Sequence, residues 1–280
     1  MDTLIVNQKE IKQMEDIARR LRVDILKMLN TSKSGHTGGS LSAIDIIASL
    51  YFSIMKHDPQ NPKWEQRDRF VLSKGHAAPA LYATLAECGY FEKALLNSLR
   101  QIDSQLQGHP SNRATIGVDA TSGSLGQGLS VANGMGLGLR LNNNPAHTFV
   151  LLGDGELQEG QVWEAAMSAA HYRIGKVTAI IDNNGLQIDG FVKDIMNVEP
   201  INEKWRSFGW DVETIDGHDF SQLLPALRKA KQKELFDMPT VIIAKTVKGK
   251  GVSIFENKAK YHGTPPNDEE LSIALKELGA

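Results

Sequence analysis

Thr148-Phe149-Val150-Leu151-Leu152-Gly153-Asp154-Gly155 and Val177-Thr178-Ala179-Ile180-Ile181-Asp182-Asn183-Asn184-Gly185 are the two stretches whose reading decides the fold. Each is a short apolar run closed by Gly, Asp or Asn, the pattern of a strand buried on both faces. Between them, residues 158–171 place Val162, Trp163, Ala165, Ala166, Ala169 and Ala170 at helical spacing. Strand, helix and strand in that order predict two parallel strands. Their carboxyl ends open on one crevice, the place where open α/β sheets bind ligands. Asp154 and Asn184, thirty positions apart, then converge on it.

Working outward, residues 69–73, 211–215 and 240–244 read as three further strands, and 220–231 as a helix between the last two. Residues 7–29 carry an amphipathic helical pattern (Ile11, Met14, Ile17, Ala18, Leu21, Ile25, Met28), and 40–55 a more deeply buried one. Residues 248–266 are polar and irregular, and Asn267 with Glu270 forms an N-terminal cap for a closing helix. The fold class is therefore α/β, a wound and mostly parallel sheet with helices on both faces. It forms one domain over 1–280, with an irregular C-terminal arm from about 248.

The donor types set the chemistry of the crevice. One carboxylate (Asp154), one amide oxygen (Asn184) and a nearby backbone carbonyl, such as that of Leu186, make a hard oxygen set suited to magnesium or calcium. So few protein ligands leave coordination positions for phosphate oxygens. Gly155 lets an anion reach its N–H, and the helix that follows is expected to offer a positive N-terminus. An EF-hand fails at residues 182–185, because the glycine comes at the fourth position and no glutamate stands at the twelfth. Lys248-Gly249-Lys250-Gly251 lacks the upstream glycine and following Ser or Thr of a Walker loop, and the glycines of 126–141 lack dinucleotide spacing.

These residues resemble the thiamine diphosphate signature, and more closely the transketolase family. Seven blocks occur in that family's order: Ser34-Gly35-His36, Ser73-Lys74-Gly75-His76, Gly108-His109-Pro110, Gly123-Ser124-Leu125-Gly126-Gln127-Gly128, residues 153–160, residues 182–190, and Tyr261-His262-Gly263. Thr37 and Ser124 stand where full-length members often have proline; neither change removes a ligand. The resemblance implies a cofactor site formed by His76, Gly123, Ser124, Leu125, Asp154, Gly155, Glu159, Asn184 and His262, with the metal on Asp154, Asn184 and Leu186. It implies that His36, His109 and His262 surround the thiazolium face and the sugar hydroxyls as candidate catalytic groups. Glu159, also a candidate, and Glu164 would lie at a dimer contact linking two active sites.

The activity implied is transfer of a two-carbon ketol unit from a ketose phosphate to an aldose phosphate. The family's pyrimidine-binding domain and its activating glutamate have no counterpart in these 280 residues. The expectation is therefore an N-terminal subunit of a split transketolase, active with a C-terminal partner that carries the pyrimidine-binding domain, two copies of each chain forming a heterotetramer. Two alternatives stay open. One is a component of a related thiamine enzyme acting on pyruvate or another 2-oxo acid, and the other is a noncatalytic cofactor-binding module.

Lys plus Arg is 31 against 33 for Asp plus Glu, a net charge of -2, so no electrostatic attraction to nucleic acid or anionic lipid is expected. The apolar stretches read as too short for a membrane span, and Met1-Asp2-Thr3-Leu4 does not open a secretory signal. The single cysteine, Cys88, excludes an internal disulfide. A cytoplasmic enzyme subunit of the pentose phosphate pathway is expected. His57, His147 and His218 read as surface or hydrogen-bonded structural histidines, and His171 as a favourable cation at a helix end. For the glycines of 126–141, close backbone approach to a cofactor or a neighbouring subunit, and tight helix-on-sheet packing, both remain open.

Overall fold

The computed structural model describes residues 5–280; the reading of Met1 to Leu4 lies outside the described residues. Strands β1 (Arg69–Leu72), β2 (Thr148–Gly153), β3 (Val177–Asn183), β6 (Asp211–Asp216) and β7 (Thr240–Lys245) form one sheet in the order β1-β2-β3-β7-β6. Every pairing in it is parallel. A two-stranded antiparallel ribbon, β4 (Leu186–Gln187) with β5 (Gly190–Phe191), stands beyond the end of β3. The five expected strands are all present, and the sheet is parallel throughout.

Alternation along the strands divides the core in two, because successive side chains leave opposite faces of a sheet. Phe70, Leu72, Phe149, Leu151, Ile180 and Ile242 face one layer, formed by α1 (Gln8–Ser32), α2 (Thr37–Ser49), α3 (Ala78–Glu87) and α8 (Phe220–Lys231). Val71, Val150, Leu152, Ala179, Ile181, Val241 and Ile243 face the other, formed by α4 (Gln127–Leu141), α5 (Gly160–His171) and α7 (Ile201–Ser207). Asn7 caps α1 by accepting from the Glu10 N–H at 2.9 Å. The expected capping box of Asn267 and Glu270 opens α9 (Asp268–Glu277), which closes on α1.

One expectation needs correction. The helix that begins at α2 runs on through a π-helical turn, Leu50–Ile54, and the stretch Thr37–Ile54 is long and apolar enough to cross a membrane by length and composition. It is 89% buried within the fold, where it is a central core helix. The structural histidines are hydrogen-bonded, as expected. His57 engages Tyr90 Oη at 3.1 Å and the Tyr51 carbonyl at 2.7 Å, and His147 Nε2 lies 2.8 Å from Thr178 Oγ1.

The glycines of α4 divide by environment. A Cβ at Gly128 would lie 2.4 Å from the Ser73 side chain, and one at Gly136 would lie 2.7 Å from Val177 Cγ2, so both mark tight helix-on-sheet packing. Gly134 and Gly138 have nothing within 4 Å of that position. Gly136→Ala should therefore destabilise the chain by about 1–3 kcal/mol through overpacking. Gly138→Ala should stabilise it by about 0.5–1 kcal/mol through helix propensity. Urea unfolding of the two variants against wild type checks the contrast; two shifts of the same sign would refute it.

Candidate active site

The carboxyl ends of β2 and β3 are neighbours, with Gly153 paired to Asp182, so Asp154 and Asn184 come to one crevice. Asp154 is 3% exposed, and its carboxylate accepts from the Gly155 N–H at 2.9 Å and the Gly185 N–H at 2.6 Å. Burial, and then Asp182 nearby, push its carboxyl up to about 6. A divalent cation would reverse that penalty by pairing with the ionised form. Asn184 Oδ1 accepts from the Leu186 N–H at 3.1 Å. The Leu186 carbonyl accepts from Lys248 Nζ at 3.1 Å, which leaves its second lone pair free. Among the described residues no three His, Cys, Asp or Glu side chains form a metal cluster.

The cleft above this floor is lined by His36, His76, His109, His262, Gly123, Leu125, Gly155 and Glu159, together with the three expected metal ligands. The rings of His36 and His76 are 5.2 Å apart, those of His36 and His262 5.6 Å, and those of His76 and His262 5.0 Å. Ser124 is the one expected site residue outside the lining. Gly123 and Leu125 line the cleft while the intervening Ser124, at a bend before the turn into α4, is exposed. Glu159 and Glu164 are both exposed, and their side chains make no hydrogen bond or ion pair among the described residues.

The helix expected over 158–171 is present but starts two residues later, at Gly160, after a short 3-10 turn, Gly155–Gln158. Within that turn Glu156 points inward. It accepts from the Gly126 N–H at 2.8 Å, from the Gly153 N–H at 3.0 Å, and from Ser73 Oγ. That buried carboxylate pins the Gly123-Leu125 loop against the end of β2. Gly126 starts α4 with a left-handed φ of 82°, a conformation that glycine adopts without steric cost.

Sequence reasoning missed three further lining or supporting residues. Lys74 is 2% exposed and pairs with Asp182, itself fully buried. Asp182 also accepts from Ser42 Oγ at 2.6 Å and from Thr246 Oγ1. Lys248 is 2% exposed, and its ammonium meets only neutral acceptors, the Leu186 carbonyl and His262 Nδ1 at 2.7 Å. Burial, and then Lys74, lower Lys248 to about 8. Burial first, and the surrounding cations after it, lower His36 to about 4, His262 to about 3 and His76 well below its ordinary value. A cleft with a buried ammonium that forms no ion pair among the described residues fits an anion such as a diphosphate.

The fold and this cleft define an α/β domain that holds a phosphate-bearing cofactor at the carboxyl edge of its sheet. Residues 11–280 match the family model described as transketolase, thiamine diphosphate binding domain. The chain is 43% identical to the 6-deoxy-6-sulfo-D-fructose transketolase subunit SqwG of Clostridium sp. (strain MSTE9), over 97% of each chain. It is 38% identical to one of the subunits of apulose-4-phosphate transketolase from Actinobacillus succinogenes, over 95% of this chain and 96% of that one. Transketolase from Leishmania mexicana superposes with a TM-score of 0.89 at 32% identity, over 95% of this chain and 41% of the other. The chain thus spans about two fifths of that longer enzyme. It belongs to the transketolase family, as the thiamine diphosphate-binding N-terminal part, and the expected fold, family and enzyme class are borne out.

Asp154 carries a stability cost that its charge explains. Its folded value near 6 lies above the ordinary 3.8, so the folded chain binds the extra proton, and the cofactor-free chain loses stability as pH rises from about 4 through 6. Asp154→Asn should therefore stabilise the cofactor-free chain by about 1–2 kcal/mol at pH 7.5 and by nothing below pH 4. Wild type should gain about 2.7 kcal/mol at a hundred times the dissociation constant of thiamine diphosphate with magnesium, and the variant should gain nothing. Thermal unfolding with and without these additions checks both; an equal gain in the two proteins would remove Asp154 from the ligand set.

Proposed function

We propose that this chain is the N-terminal subunit of a two-chain transketolase that moves a two-carbon ketol unit from a ketose phosphate to an aldose phosphate. The carrying observation is the cleft itself: four imidazoles face a floor of Asp154, Asn184 and the Lys248 ammonium, which forms no ion pair among the described residues. The two-chain reading is supported by relatives named as transketolase subunits that match this chain over nearly all of both lengths. Their names specify anionic sugars, a sulfonate and a phosphate. The partner contributes the pyrimidine-binding domain, two copies of each chain assemble, and the setting is the cytoplasm and pentose phosphate metabolism.

When bound, thiamine diphosphate supplies the electron sink for breaking and making the C–C bond. Asp154, Asn184 Oδ1 and the Leu186 carbonyl would hold the divalent cation, magnesium or calcium. His76 and Lys248 would hold the diphosphate, whose negative charge would raise the depressed histidines toward neutral pH, while the Gly155 N–H is engaged by Asp154 at 2.9 Å. His262 has a defined tautomer: the Lys248 ammonium donates to Nδ1, so Nε2 carries the proton and can donate to a sugar hydroxyl. His36 and His109 bind the remaining hydroxyls and give or take a proton there.

Two outcomes test this. The purified chain alone should show no ketol transfer with thiamine diphosphate, magnesium and sugar phosphates, and should gain it on mixing with a partner chain that carries a pyrimidine-binding domain; turnover by the isolated chain would defeat the two-chain reading. In the assembled enzyme, His109→Ala should keep cofactor affinity within about threefold while slowing transfer roughly 100-fold or more. If turnover fell only in step with cofactor affinity, His109 would not face the sugar.

A further inference from the structure

Arg100 sits between the two loops that carry His36 and His109, and nothing in the cofactor site uses it. Its guanidinium donates to Ser34 Oγ at 3.1 Å and to the Gly108 carbonyl at 3.3 Å, and its Nη2 lies 3.5 Å from His36 Nδ1. The guanidinium lies close over Gly108, where a Cβ would come within 3.1 Å of Arg100 Cζ. The Arg100 backbone is left-handed, with a φ of 59°, and its N–H donates to the Leu106 carbonyl at 2.9 Å. A non-glycine residue held in that region has a conformation fixed by its surroundings, a pattern that clusters at active sites. Arg100 has no carboxylate partner among the described residues, so its charge is spent on these two loops.

We propose that Arg100 is a positioning residue, whose planar fork ties the loop at 34–36 to the loop at 108–109 and sets the spacing and orientation of His36 and His109. The fork suits the task, since a guanidinium presents several fixed donors where an ammonium presents a point charge. The His36 and His109 rings stand 6.3 Å apart, a separation that a single sugar chain spans between its hydroxyls. The electrostatics agree. Burial and then Arg100 lower His36, with His109, Lys248 and Lys74 adding to it, and the His76 and His262 rings also face it. Burial and then Arg100 lower His109, and no other charged group contributes there. In the cofactor-free chain both effects favour the neutral imidazole over the charged one.

This inference rests on the reading of His36 and His109 as sugar-facing, and the test separates the two. Arg100→Lys keeps the charge without the fork, and Arg100→Met removes both. Titration of the histidine ring signals by NMR, in the full chain alone, should show His36 and His109 protonating at higher pH in Arg100→Met and near wild type in Arg100→Lys. In the assembled enzyme, Arg100→Met should lose at least tenfold in kcat at pH 7.5 and roughly threefold more at the acid end of the profile, as its acid limb moves upward. Arg100→Lys should lose kcat with the acid limb unmoved. Unchanged ring titrations in Arg100→Met, or equal losses in both variants with an unmoved acid limb, would overturn the proposal. Wild type without ketol transfer in the presence of its partner would overturn the proposed function instead, and the ring titrations would still decide the role of Arg100.

Discussion

The buried carboxylate of Asp182 is the constraint on which the rest of the site depends. It is the penultimate residue of β3, is fully buried, and gathers Lys74 from beyond β1, Ser42 from α2 and Thr246 from the chain after β7. Burial alone would push this carboxyl up; the Lys74 ammonium and three hydrogen bonds override it and hold the group below its ordinary value. Removing one partner of such a pair typically costs about 3–5 kcal/mol, because the other charge is left buried. The pair thus acts as a fixed corner. Four chain segments meet at it, and each also carries a residue of the cleft: His76 after Lys74, His36 before Ser42, Asn184 after Asp182, and Lys248 after Thr246.

A second buried node supports the same segment from behind. Asp45 takes a bidentate pair from Arg22 at 2.8 and 2.7 Å and a bond from His218 Nδ1 at 2.7 Å, and its carboxyl is held at about 2 despite complete burial, with Arg22 the largest opposing cause. His218 Nε2 then accepts from the Val247 N–H at 2.8 Å, and Arg22 Nε donates to the Lys250 carbonyl at 3.0 Å. Lys248 lies between these two anchored peptides. Its buried ammonium is an electrostatic cost that the fold alone does not recover. The cost makes sense where an anion is to be bound, since a site poised for charge gains most when its partner arrives.

The separation of roles in the cleft follows from which strand ends contribute. The floor, with Asp154, Asn184 and Leu186, is built from β2, β3 and the small ribbon, elements held by the ladder of the sheet. The rim, with His36, His109 and His262, is built from loops and a 3-10 turn, Ala259–His262, outside the sheet. Rigid elements position the charged anchor to within a fraction of an ångström, and loops set on that scaffold carry the groups that meet varied sugars.

Periodicity and spacing alone determined the strand–helix–strand unit, the convergence of Asp154 and Asn184, the five strands and the cap at Asn267, because each rests on local pattern. Motif order added the family and the four cleft histidines. Other features were illegible for physical reasons. α3 is buried on every side and shows no amphipathic face, and α7 is only seven residues long, too short to display a period. The inward turn of Glu156, which precedes the helix expected from residue 158, depends on Ser73 and Gly126, both far away in sequence. Lys74, Lys248, Asp45 and Arg100 look like ordinary surface charges in the sequence, and only tertiary packing buries three of them and sets the fourth between two histidine loops. Local pattern reports which backbone a segment prefers. The charge state and partners of a side chain depend on what the fold brings within a few ångströms, and that is decided between segments, not within them.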